Sequence, residues 1–88
     1  MSKSMEMGIM DWQQIEEYLD EMIAYQQKSL LNCGQKIVPV LTSDDILQPN
    51  DFRELEANPL FRYEEGVLAG LISAKIALSA FKKGSMSQ

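Results

Sequence analysis

Apolar positions fall into two long runs with a helical period, separated by a stretch that has none. In the first run Trp12, Ile15, Leu19, Met22, Ile23, Leu30 and Cys33 recur with Gln26 in register among them. Offsets of three and four residues put such side chains on one face of an α-helix, here flanked by Tyr18 and Tyr25. Asp11 stands just before the run and Gln14 three residues after it, the capping-box arrangement that satisfies backbone donors at a helix start. Asn32 and Gly34 offer a left-handed stop. The pattern predicts a first helix over about 12–32.

The second run opens at Asn58-Pro59, an N-cap residue followed by the one residue whose missing donor costs nothing in a first helical turn. It continues without proline, so a helix over 59–83 is expected, with Gly84 as its stop and Lys82 and Lys83 at the negative end of its dipole. This helix has three faces. One carries Leu60, Val67, Leu71, Ala74, Leu78 and Phe81 with Tyr63 beside them; a second carries Phe61, Leu68, Ile72 and Ile76. Between them Gly66, Gly70, Ser73, Ala77 and Ala80 form a seam with almost no side-chain bulk, and Glu64, Lys75 and Lys82 make up a narrow polar strip.

Between the runs the sequence is punctuated. Lys36 to Leu41 is β-branched around Pro39 and has no strand partner elsewhere, so it reads as an extended connector laying apolar side chains on the core. Thr42 or Ser43 can cap a short turn through Leu47. Asn50 or Asp51 can cap a second, Phe52 to about Ala57, with Glu54 completing a capping box. The expected fold is all-α: a small helical bundle of two long antiparallel helices, about 12–32 and 59–83, joined by this connector and its short turns. Residues 1–10 are expected to be a disordered leader, 11–83 a single helical domain and 84–88 a disordered tail.

Composition narrows the function classes. Eighty-eight residues allow one domain with a thin core. The chain has no histidine and one cysteine, so it cannot build a disulfide within itself, a Cys/His zinc site or an imidazole-dependent catalytic centre. No cofactor, metal site or catalytic residue is predicted, and the chain is read as not an enzyme. Asp44, Asp45, Asp51, Glu64 and Glu65 lack the spacing of a calcium loop or a di-iron site. Gly66 to Gly70 lies within a helix and has no following Lys-Ser/Thr, so it is no phosphate loop.

The net charge is −5, and its distribution is uneven: residues 1–65 hold all thirteen acids, whereas 66–88 hold only Lys75, Lys82 and Lys83 as charged groups. An acidic body without a basic patch argues against nucleic-acid binding. The apolar stretch from Gly66 to Phe81 falls short of the about 20 residues a membrane span needs. A lone Cys33 suits a reducing compartment, so a cytoplasmic location is expected. Glu16, Glu17, Asp20 and Glu21 form either a solvated face or a docking surface for a basic partner.

A helix apolar nearly all round needs more cover than one amphipathic helix provides. Two neighbours can meet the bare seam: the first helix of the same chain, or a second chain. The functional expectation is a protein-protein interaction module, adaptor- or chaperone-like, that forms a homo-oligomer, most simply a dimer, or binds another protein. Its partner-binding residues are Gly66, Gly70, Ser73, Ala77 and Ala80, with Phe61, Arg62 and Tyr63 at the helix start, where aromatics and charges of both signs mix as they do at interfaces. The alternatives are a subunit of an enzyme whose other chain supplies the chemistry, and a peripheral membrane protein using residues 66–83.

Overall fold

The computed structural model describes residues 11–48 and 51–86. The predicted leader, Asn50 as a cap, and residues 87 and 88 of the predicted tail lie outside them. Helix α1 spans Trp12–Gln35, a short α2 spans Arg53–Glu56 and α3 spans Pro59–Met86, with a 3-10 turn at Asp45–Leu47. No strand occurs among the described residues.

Helix α1 starts as its capping box predicts. Asp11 is extended (φ −83°, ψ 171°), its Oδ1 accepts from the Gln14 amide at 2.8 Å, and its own amide donates to Gln14 Oε1 at 3.2 Å. The expected stop at Asn32 and Gly34 is overrun. The helix continues to Gln35, and the residue that closes it, Lys36, is right-handed (φ −71°), so no left-handed glycine is used. Gly34 serves packing instead. A Cβ there would collide with Leu41 Cδ2 and lie 3.2 Å from Phe61 Cε1. Position 34 is bare so that two side chains can close on the helix backbone.

Residues 36–41 were expected to be extended and are folded into successive turns. The amides of Ile37 and Val38 both donate to the Gly34 carbonyl, at 3.0 and 2.7 Å, and Leu41 donates to the Val38 carbonyl at 2.9 Å. Pro39 sits at a turn position where its missing donor costs nothing. This fold-back delivers Leu41 to Gly34, and Gln35 Nε2 fixes it by donating to the Leu41 carbonyl at 2.9 Å. Thr42 and Asp45 then bond reciprocally: the Thr42 amide donates to Asp45 Oδ2 at 2.9 Å, and the Asp45 amide to Thr42 Oγ1 at 3.4 Å. Neither Asp51 nor a capping box starts α2; Phe52 stands at its N-cap with no side-chain bond, and the turn is held by packing of Phe52 and Leu55.

Asn58 caps α3 as expected, its Oδ1 accepting from the Phe61 amide at 3.0 Å. The predicted stop at Gly84 is also passed, and the helix runs on to Met86. A glycine ends a helix only where the chain turns left-handed at or just after it.

The core is lopsided. Leu30, Leu41, Leu55 and Phe61 are buried, with Cys33, Ile37, Val38, Ile46, Phe52 and Leu68 packed around them. All of these lie where the C-terminal half of α1 meets the start of α3 and the intervening turns. Val40, expected on the core with the rest of the connector, faces solvent, as does Leu47. The rest of α1 and α3 projects beyond the core as a two-helix arm. The radius of gyration is accordingly 17.1 Å, against about 12 Å for a compact chain of this length.

Replacing Gly34 with Ala tests the close approach. Helix propensity favours the change by about 1 kcal/mol, whereas overpacking a filled core costs about 1–3 kcal/mol. The expected result is a net loss of about 1 kcal/mol, read as a lower urea midpoint at unchanged slope. A variant as stable as the parent would show that Leu41 and Phe61 can retreat freely.

Candidate interaction surface

Each long helix can turn only part of its circumference toward the other, and the side chains that bridge them identify which part. Gln26 of α1 is buried, and its Nε2 donates to both the Glu64 carbonyl, at 3.0 Å, and Glu64 Oε1, at 2.6 Å. Further along, Lys75 pairs with Asp20, and Lys82 with Glu16 at 3.4 Å. Near the tip the rings of Trp12 and Phe81 lie 6.0 Å apart between centroids, tilted by 54°. Glu16, Asp20 and Gln26 of α1 meet Lys82, Lys75 and Glu64 of α3 in turn, so the helices are antiparallel.

The strip of α3 turned toward α1 is therefore its polar one. The arrangement is electrostatically consistent: acids on the N-terminal half of α1 meet lysines on the C-terminal half of α3, so each charge faces its opposite across the helix pair. Glu16 and Asp20 repel each other as like charges four residues apart, and a lysine beside each offsets that. Both ion pairs are part-exposed, so each contributes about 0–1 kcal/mol. The acidic run is thus neither wholly solvated nor wholly free for a basic partner, because three of its four members are engaged within the chain: Glu16 and Asp20 by the lysines, and Glu17, whose Oε2 accepts from Gln13 Nε2 at 3.2 Å.

With the polar strip inward, the seam faces out. At about 100° per residue, Ser73 lies about 180° around α3 from Glu64. Gly66, Gly70, Ser73, Ala77 and Ala80 are all exposed, and a Cβ built at Gly66 or Gly70 meets nothing within 4 Å. The first helix of the same chain, one of the two neighbours left open by the sequence, does not cover this seam. Tyr63 is exposed beside it, and Arg62 is exposed with a local pair to Glu65 at 3.5 Å. Phe61 differs from the other predicted partner-binding residues: it is fully buried and belongs to the core.

Sequence reasoning missed a groove. Met22 and Tyr25 of α1 and Val67 and Leu71 of α3 line a cleft of about 420 Å³, with Gln26 in its wall and Glu21 on its rim. It arises because the bridge between Gln26 and Glu64 holds the helices together to one side of these side chains. The available signal was Tyr18, Met22 and Tyr25, spaced four and three residues apart along one edge of the apolar face of α1.

Among the described residues, no group of three or more His, Cys, Asp or Glu side chains is placed to hold a metal ion, and no helix is long and apolar enough to cross a membrane. Cys33 is a half-buried free thiol packed against the core. No known protein family matches the chain, and neither does any curated protein or solved structure.

Gln26 and Lys82 should differ in their effect on stability. Gln26→Leu removes a buried donor bonded to a carboxylate, a class of bond worth about 1.5–3 kcal/mol, whereas Lys82→Ala removes a part-exposed ion pair worth at most about 1 kcal/mol. Denaturant titration of the two variants should rank Gln26→Leu as clearly the more damaging. Equal losses would contradict the assignment of the bridge to Gln26.

Proposed function

We propose that this chain is a small non-catalytic protein-protein interaction module, adaptor- or chaperone-like and cytoplasmic, that self-associates as a dimer through α3. The observation that carries this reading is the outward seam: Gly66 and Gly70 have open space where a side chain would stand, on a helix that also exposes Leu60, Tyr63, Ile76 and Phe81. Monomeric proteins rarely leave a contiguous apolar patch beyond a few hundred Å² uncovered. Small residues along a helix let another backbone approach closely. A two-fold contact pairs a patch with itself, and the seam suits this because Gly66 and Ala80 stand at equal distances along the chain from Ser73.

The membrane-surface alternative draws less support. Lys75 and Lys82, two of the three lysines on that stretch, are directed to acids of α1 rather than arrayed beside the apolar residues. Nothing observed favours an enzyme subunit.

Gly70→Leu is a clean probe because position 70 is open within the chain. The substitution should leave the protomer folded, with helix content equal to or above the parent's, and should shift the mass at tens of micromolar from dimer to monomer by light scattering. A parent chain that runs at 10.0 kDa under those conditions would contradict the proposal.

A further inference from the structure

We infer that the second copy seats not on the α3 seam alone but on the whole grooved side of the hairpin, so that α1 contributes to the interface and two hairpins close into a four-helix bundle. This rests on the self-association reading and specifies its surface. At about 100° per residue Tyr18, Met22 and Tyr25 fall on one edge of α1, and Tyr63, Leu78 and Phe81 fall with Val67 and Leu71 on one edge of α3; these are the edges that meet at the groove lined by Met22, Tyr25, Val67 and Leu71. Every tyrosine of the chain is on this side.

Four aromatic side chains there, Tyr18, Tyr25, Tyr63 and Phe81, are 60, 72, 67 and 63% exposed. At about 200 Å² for each ring-bearing side chain, they alone leave about 500 Å² uncovered. The aliphatic side chains among them bring the patch toward the roughly 800 Å² that each partner contributes to a stable interface. Among the described residues no third layer buries it, and paired helical hairpins are a standard way to complete such a core.

Charge and hydrogen bonding favour a second copy over a charged partner. The two cross-helix ion pairs, Asp20 with Lys75 and Glu16 with Lys82, take up the lysines that face α1, and Glu21 is the one charged residue in the groove lining, so the grooved side carries no array of charge for a basic or acidic partner to match. It is also self-complementary. The amide oxygen of Gln26, which lines the groove, has no donor among the described residues, while the same surface presents three phenolic hydroxyls able to donate. A copy of the chain brings both the apolar area and the missing donors.

The test is the solution mass of the full chain and four variants, Gly70→Leu among them, by sedimentation equilibrium, with circular dichroism on each. Tyr25→Glu and Tyr18→Glu place a carboxylate on the grooved side of α1, at positions exposed enough for the protomer to stay folded. Val40→Glu, at an exposed turn beside the core, is the control. The parent and Val40→Glu should be dimers, and the two tyrosine variants should be helical monomers with self-association weakened at least about 100-fold. Dimers that persist in both tyrosine variants, and are lost in Gly70→Leu, would overturn the grooved interface and leave association through the seam standing. A monomeric parent would overturn both.

Discussion

Phe61 and Leu41 can reach the backbone of α1 only because position 34 has no side chain, and the rest of the molecule is arranged around that approach. Phe61 sits in the first turn of α3, fixed there by the Asn58 cap. Leu41 sits at the end of a fold-back whose bonds start from the Gly34 carbonyl. Sequence-distant segments thus converge on one turn of α1, and the rotation of α3 about its axis is set where it enters. With Phe61 directed inward, the residues further along that lie over α1 are Glu64, Lys75 and Lys82. The polar character of the helix pair beyond the core follows from where the phenylalanine points.

That rotation explains why so much apolar surface remains outside. A helix with three apolar or small-residue faces packs against a single partner helix, and its strongest anchoring residue aligns its polar strip with that partner. Gln26, Asp20 and Glu16 accept the arrangement because each finds a complementary group. The ion pairs contribute little energy individually, and they are compatible with the register and rotation that Phe61 sets.

Much of the architecture was legible in the sequence because it rests on local rules. The capping box at Asp11, the Asn58-Pro59 start, the 3-4 spacing along α1 and the all-α class depend on neighbouring residues only. What was not legible depended on long-range contact. Gly34 has the same appearance in sequence whether it ends a helix or lies under a phenylalanine, and only the arrival of Phe61 distinguishes the two. Residues 36–41 have the composition of a strand, yet their bonds close locally because no partner strand exists. The seam was found by spacing, but its outward direction depended on the rotation set by Phe61, and the groove depended on both helices together. Phe61 was grouped with partner-binding residues by composition, a criterion blind to burial.

The lopsided core also sets an order of events along the molecule. Nearly all the buried apolar contacts gather at one end, around the turns that connect α1 to α3, while the free end of the arm has Trp12, Phe81 and part-exposed lysine pairs. The contacts at this end close shorter loops between α1 and α3 than those at the free end and so cost less loop entropy to form, and the hairpin can nucleate at Gly34, Leu41 and Phe61 and then zip outward. Opening runs in the reverse direction, since regions with few buried contacts have the lowest local stability. The protomer is in this sense a clasp hinged at its core, and the end that frays first is the end where its two helices have the least to hold them together.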